Sequence, residues 1–239
     1  MDSLRKEREL NELKTKFLSL VSHEFKTPLS GILTSATLVG KYTETEHQEK
    51  REKHLRTIQN KVKYLNNILN DFLSIERLES GKATYKFDVF PLSKVVNEVI
   101  YNANMLLKDG QRTNYPQNID DILVNFDEKI LELSLTNLIN NAIKYSPAHT
   151  VIDVVVIPQK DSLSIKIIDE GMGIPEKEQK YIFNRYFRAE NALLDQGTGI
   201  GLNIVKSHLE SLDGTITFES EQSKGSTFTI TFPTNNNTN

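Results

Sequence analysis

Leu55-Arg56-Thr57-Ile58-Gln59-Asn60-Lys61-Val62-Lys63-Tyr64-Leu65-Asn66-Asn67-Ile68-Leu69-Asn70-Asp71-Phe72 decides the first half of the fold. Its apolar residues Leu55, Ile58, Val62, Leu65, Leu69 and Phe72 are spaced 3, 4, 3, 4 and 3 apart, a heptad seam. Upstream, Leu10, Leu13, Phe17 and Leu20 form a second seam. Between them lies the short polar link Lys41-Tyr42-Thr43-Glu44-Thr45-Glu46, where Thr43 or Thr45 is suited to cap the second helix. A short link joins antiparallel neighbours, so a helical hairpin is expected. A second helix of about 35 residues would be ~50 Å long. Two such helices bury a seam poorly, and pairing of two hairpins into a dimeric four-helix bundle is the economical solution. The alternative is a monomeric hairpin packed on the following domain.

Glu79-Ser80-Gly81-Lys82 breaks the helical pattern. Beyond it, Tyr85–Phe90, Ile122–Phe126, Val151–Ile157, Leu163–Asp169, Thr215–Ser220 and Ser226–Phe232 read as strands. Leu92–Lys108, Glu128–Tyr145 and Ile200–Asp213 read as helices. The expected fold is α + α/β: the hairpin, then an α/β sandwich with helices on one face of a mixed sheet. The expected domains are 1–80 and 81–233, with a frayed polar tail at 234–239.

Composition narrows the function. Of 239 residues, 38% are hydrophobic, enough to bury two cores. The net charge is −3, whereas a dedicated nucleic-acid binder is usually basic, so no nucleic-acid partner is expected. The absence of cysteine excludes thiol catalysis, disulfides and cysteine-ligated metals. No apolar run approaches ~18 residues, and Met1–Lys16 is charged with no apolar core of a signal peptide. A cytoplasmic location without membrane contact by this segment is the expectation. The charged heptads of Arg5–Lys16 resemble the C-terminal end of a longer coiled coil.

Two regions carry chemistry. Within the first helix, His23-Glu24-Phe25-Lys26-Thr27-Pro28 places Thr27 one turn on from His23, on the same face. Pro28 removes the helical partner of the Glu24 carbonyl, so a bend or loosening near His23 is expected. A neutral imidazole is nucleophilic, and an adjacent carboxylate can take its proton. A lone surface histidine would ordinarily mean nothing more than a polar helix face.

In the second half, Asn137-Leu138-Ile139-Asn140-Asn141 closes a helix with Asn137 and Asn141 on one face, followed by Lys144 and Tyr145. Amide oxygens suit Mg²⁺ alongside phosphate, and Lys144 suits phosphate. Asp169-Glu170-Gly171-Met172-Gly173 ends a strand, where a buried carboxylate can accept from an adenine amine. Gly197-Thr198-Gly199-Ile200-Gly201 opens a helix whose N–H groups suit an anion. The spacing is neither a dinucleotide fingerprint nor a P-loop. The intervening Pro175–Gln196 is polar with an aromatic knot at Tyr181–Phe187, suited to a hinged lid. Gly225-Ser226-Thr227-Phe228 alone reads as a turn.

In this order, the segments resemble a sensor histidine kinase of a two-component system, over about Lys16 to Phe232. The resemblance implies that His23 is phosphorylated, that Glu24 is its base, and that Thr27 positions water to dephosphorylate a partner. It implies ATP and Mg²⁺ as cofactors, with Asn141 on the metal. Asn137, Lys144, Tyr145, Asp169, Gly171, Gly173, Gly197, Gly199 and Gly201 would bind nucleotide. Phe183 and Arg188 match the aromatic box of the lid, with Arg188 near the γ-phosphate. The implied partners are a second copy, forming a homodimer, and the receiver domain of a response regulator. Glu170 replaces a frequent Asn, and Tyr186-Phe187 reverses the usual order. The ATP-binding half also resembles gyrases, Hsp90-type chaperones and mismatch-repair ATPases, which lack the hairpin. A rival class is a non-catalytic dimeric adaptor, which would not bind Mg-ATP.

Overall fold

The computed structural model describes residues 22, 24–193 and 197–234. These fall into two compact units. The first comprises the described residues up to Glu76 together with 197–198, and the second runs from Arg77 to 193 and from 199 onward.

In the first unit, helix α1 occupies residues 24–41 and passes through the buried Pro28 unbroken. The upstream seam from Leu10 to Leu20 and the phosphoacceptor candidate His23 lie outside the described residues. A 3₁₀ turn, Thr45–His47, leads into helix α2, Gln48–Glu79. Glu44 holds the N-cap position of that turn without a side-chain bond, so Thr45 sits inside the turn rather than capping α2. The helices run antiparallel. Glu24 meets Tyr64, Gly31 meets Lys61 and Tyr42 stacks on His54, so partners fall in number along α2 as they rise along α1.

The heptad phase on α2 differs from the sequence expectation. Ile68 and Ile75 are the buried apolar residues of the helix, whereas the expected seam members Leu55, Val62 and Leu69 stay 44–46% exposed. The cause is geometric: a seam written at 3–4 spacing defines a stripe, but two adjacent stripes share the helix, and one chain covers one of them. Asp71 lies on the inward stripe between Ile68 and Ile75, and burial pushes its carboxyl up to about 6.

The second unit opens on the end of α2. Gly81 has a φ of +65°. Its N–H donates to the Leu78 carbonyl at 3.3 Å, and the Lys82 N–H donates to Arg77 at 2.9 Å. This paired closure requires a left-handed residue, which glycine supplies without a Cβ penalty. The chain is fastened a few residues later. The Lys86 N–H donates to Asp127 Oδ2 at 2.7 Å, and the Tyr85 hydroxyl lies 3.0 Å from His208 Nδ1.

Strand β1 (Phe87–Pro91) pairs antiparallel with β3 (Leu123–Asp127) in a two-stranded sheet. Helix α3 (Leu92–Asn104) lies between them in sequence, followed by β2 (Arg112–Asn114). Helix α4 (Glu128–Tyr145) follows β3, then β4 (Val151–Pro158), β5 (Ser162–Asp169), α5 (Gly201–Ser211), β6 (Thr215–Glu221) and β7 (Gly225–Pro233). The main sheet has the order β2-β4-β5-β7-β6, antiparallel except for the β2–β4 pair, so it is mixed. Buried residues of α4 (Leu131, Leu135, Leu138, Ile139) and α5 (Val205, Leu209) share one core with Ile165, Ile167, Ile230 and Phe232 of the sheet. The hairpin followed by a mixed-sheet α/β domain matches the fold class expected from sequence. Differences are local: α3 ends four residues early, and β2 has no counterpart among the expected strands.

Candidate active site

Helix α4 positions the asparagine segment, and both its ends are pinned. At its start, Asp127 accepts the Ile130 N–H at 3.0 Å, an N-cap bond. At its end, the buried Gln111 side chain donates to the carbonyls of Ile143, Ser146 and Pro147 at 3.3, 3.2 and 2.8 Å. Lys108 Nζ adds bonds to the Lys144 and Ser146 carbonyls at 2.7 and 2.6 Å. A helix end leaves its last carbonyls without intrahelical donors, and these two side chains supply them. Lys108, Gln111 and Asp127 were not among the sequence candidates. Asp127 could have been read as a cap ahead of the apolar period, whereas Gln111 carries no local signal.

Asn137 and Asn141 lie one turn apart on α4, both half-buried. Asn137 Nδ2 donates to the Leu133 carbonyl at 3.0 Å, which aims its Oδ1 at Gly201. A Cβ at Gly201 would collide with that oxygen, so glycine here lets the Asn137 amide keep its present orientation beside α5. Lys144 Nζ lies 4.5 Å above the Tyr145 ring and donates to the Tyr145 hydroxyl at 2.9 Å.

Asp169 ends β5, directly opposite Ser226 in the β5–β7 register. Its Oδ1 accepts two backbone N–H bonds, from Gly171 at 2.8 Å and from Ser226 at 3.2 Å. Burial raises the carboxyl above its ordinary value, and those two bonds pull the other way. The Met172 N–H donates to the Tyr145 carbonyl at 3.2 Å, joining the strand-end loop to the asparagine helix. Gly173 is fixed through its carbonyl, which accepts from Asn191 at 2.9 Å. The Gly225-Ser226 segment is therefore part of the site and not merely a turn. Glu170 points away and accepts the Val151 N–H at 3.1 Å.

The lid region is more firmly held than its polarity suggests. Gln179 donates to the carbonyls of Ile174 and Ser220 at 3.1 and 3.0 Å, and Phe183 packs edge-on against Phe218 at 5.8 Å. Asn203 of α5 donates to the Phe183 carbonyl at 2.9 Å. Gly199 accepts the Tyr186 N–H at 2.9 Å, next to the reversed Tyr186-Phe187 pair. Arg188 donates to the Ala192 and Leu193 carbonyls at 2.7 and 3.2 Å, so it braces the lid itself. Gly197 groups with the first unit, apart from Gly199 and Gly201.

The structure thus brings Asp169 and Gly171 to the Tyr145 end of α4, and Gly201 to Asn137 two turns earlier on the same helix. The residues fit a nucleotide. The buried carboxylate takes two backbone N–H groups on Oδ1, which among the described residues leaves Oδ2 for an amine donor, and a glycine-lined approach borders an amide oxygen. Among the described residues no cluster of three His, Cys, Asp or Glu could hold a metal by itself. Any cation here would rest on amide oxygen, water and substrate phosphate, which suits Mg²⁺.

In the first unit, Glu24 is half-buried and its Oε2 accepts the Tyr64 hydroxyl at 2.5 Å. Thr27 is exposed.

A mixed-sheet α/β domain that follows a helical hairpin in sequence is the architecture of a known class of protein. Residues 13–81 match the His Kinase A (phospho-acceptor) domain, and residues 126–236 match the histidine kinase-, DNA gyrase B-, and HSP90-like ATPase domain. The chain belongs to the histidine kinases and carries their two-domain core. It is 30% identical over 225 residues to the heme sensor protein HssS of Staphylococcus saprophyticus, covering 94% of this chain and 48% of that protein. Among solved structures, histidine kinase ThkA in complex with response regulator protein TrrA matches with a TM-score of 0.63 at 21% identity, covering 98% of this chain and 66% of that one. Full-length ShkA in complex with AMPPNP matches with a TM-score of 0.59 at 21% identity, covering 92% and 46%. The chain spans about a quarter to a half of the length of the curated relatives it matches. No helix among the described residues is long and apolar enough to cross a membrane.

Proposed function

We propose that this chain transfers the γ-phosphoryl group of ATP to an imidazole nitrogen of His23 and then passes it to an aspartate of a response-regulator receiver domain. The observation that carries the reading is the buried Asp169 carboxylate with Gly171 against the Tyr145 end of the asparagine helix, in a chain of this family. Asp169 would accept the adenine amine and Tyr145 would lie against the ring. Lys144, Arg188 and the N–H groups of Gly197, Gly199 and Gly201 would meet phosphate. Gly173 would shape the adenine-side loop. Asn141 would hold Mg²⁺, which supplies neutralisation of phosphate charge. For Lys144 and Arg188 to serve, each must leave its present partner, Tyr145 or the lid carbonyls. Glu24 takes the proton from the attacking imidazole. Positioning and charge stabilisation account for most of such a transfer.

The dimer reading is supported by apolar surface on both helices. Leu29 and Leu33 of α1 and Leu55, Val62 and Leu69 of α2 are exposed in one chain. A second hairpin would cover such residues in a four-helix bundle. The proposed domains remain 1–80 for the hairpin and 81–233 for ATP, with Gly81-Lys82 as a hinge, although the compact units themselves divide a few residues earlier, between Glu76 and Arg77. The segment would work in the cytoplasm, within a longer receptor.

The test is phosphotransfer. Chain labelled from γ-labelled ATP should lose label to a cognate receiver and not to a receiver whose acceptor aspartate is replaced by asparagine. Equal transfer to both would refute the reading. A phosphatase output through the exposed Thr27 predicts that Thr27→Ala keeps self-labelling and loses dephosphorylation of the receiver.

A further inference from the structure

We infer that Tyr64 is a positioning residue for the phosphoacceptor site: its phenolic hydroxyl on α2 holds the Glu24 carboxylate on α1. The inference rests on the reading of Glu24 as the base for His23. The Tyr64 hydroxyl donates to Glu24 Oε2 at 2.5 Å, and both side chains are half-buried. A hydroxyl donating to a carboxylate makes a bond roughly twice as strong as one between neutral groups. A free glutamate samples many rotamers, and ordering it costs side-chain entropy. A bond to a ring anchored on the opposite helix removes that freedom before the reaction begins. It also leaves Oε1 free of the tyrosine, with lone pairs directed elsewhere. The tyrosine itself is placed by the fold, since it lies on the same inward stripe of α2 as Lys61 and Ile68. Tyr64 touches neither nucleotide nor the reacting atoms in this account. It acts through Glu24.

The discriminating variant is Tyr64→Phe, which deletes one oxygen and keeps the ring packing. With γ-labelled ATP, its initial rate of self-labelling at saturating ATP should fall about tenfold, the scale of losing one hydrogen bond to a charged group. The KM for ATP should stay unchanged, because ATP is bound by the other unit. In a Glu24→Gln background, followed over hours to count residual label, adding Tyr64→Phe should change the rate less than twofold, since the carboxylate to be held is gone. A wild-type rate in Tyr64→Phe would overturn the inference. So would an equal tenfold fall in both backgrounds, which would mean that the hydroxyl merely supports the hairpin. Failure of wild-type protein to gain acid-labile label, or full labelling of His23→Gln, would instead sink the kinase reading and this inference with it. That outcome is distinct because it appears before Tyr64 is touched.

Discussion

Oδ1 of Asp169 accepts the Ser226 N–H at 3.2 Å across the β5–β7 pair, so the last strand helps hold the carboxylate that the nucleotide would meet. Two consequences follow for the charge. Burial raises the Asp169 carboxyl above its usual 3.8. A group whose folded value is raised gives stability that is present below the unfolded value and lost as pH rises through the folded one. Asp169→Asn keeps an oxygen for both N–H donors and removes the buried charge. It should therefore be at least as stable as the wild type at pH 7, with any gain shrinking as pH falls toward 3.8. Nucleotide affinity should drop at the same time. Thermal unfolding across pH, with calorimetric titration of an ATP analogue, reads both effects. A variant less stable at pH 7 would contradict this electrostatic account.

Gly201→Ala tests the close approach of α5 to the asparagine helix. The added methyl collides with Asn137 Oδ1, and the backbone there has ordinary helical geometry, so any cost is steric. Overpacking of this kind costs about 1–3 kcal/mol. The expected result is a lower thermal midpoint together with a weaker affinity for an ATP analogue, because the Asn137 amide must turn from its present orientation. Unchanged affinity would separate Gly201 from the nucleotide site.

Gln111→Ala tests how the end of α4 is held. The substitution removes a donor from the Ile143, Ser146 and Pro147 carbonyls, of which Pro147 keeps the Thr150 hydroxyl. The expected loss of stability is about 1–3 kcal/mol. Slippage of Lys144 and Tyr145 should also raise the KM for ATP, while Lys108 still satisfies the Ser146 carbonyl and keeps the domain folded. Faster hydrogen exchange confined to the last turn of α4 would locate the effect. Unaltered exchange there would oppose it.

The legibility of this chain follows the range of its interactions. Helix α4 was readable to the residue, because Asp127-Glu128 marks its start and its apolar period runs to Tyr145. The strands β4, β5, β6 and β7 were readable within a residue or so at each end, because their apolar residues cluster between polar turns. Strand β2 was not, because three polar residues, Arg112–Asn114, owe their conformation to a parallel partner beyond α4. The heptad on α2 revealed a hairpin but not which stripe faces inward, since the phase depends on α1. Within the site, the residue types were legible from Asn137 to Gly201. The roles of Ser226, Gln111 and Tyr64 were not, because each acts on a residue between 32 and 57 positions away.

His23 is the proposed acceptor of phosphate from ATP. The direct measurement is the self-labelling of full chain and of a folded His23→Gln variant with γ-labelled ATP and Mg²⁺, each split into acid-treated and base-treated samples. The account predicts wild-type label that is lost in acid and survives base, and no label on the variant. Equal labelling of the His23→Gln protein, or label that survives acid, would contradict it.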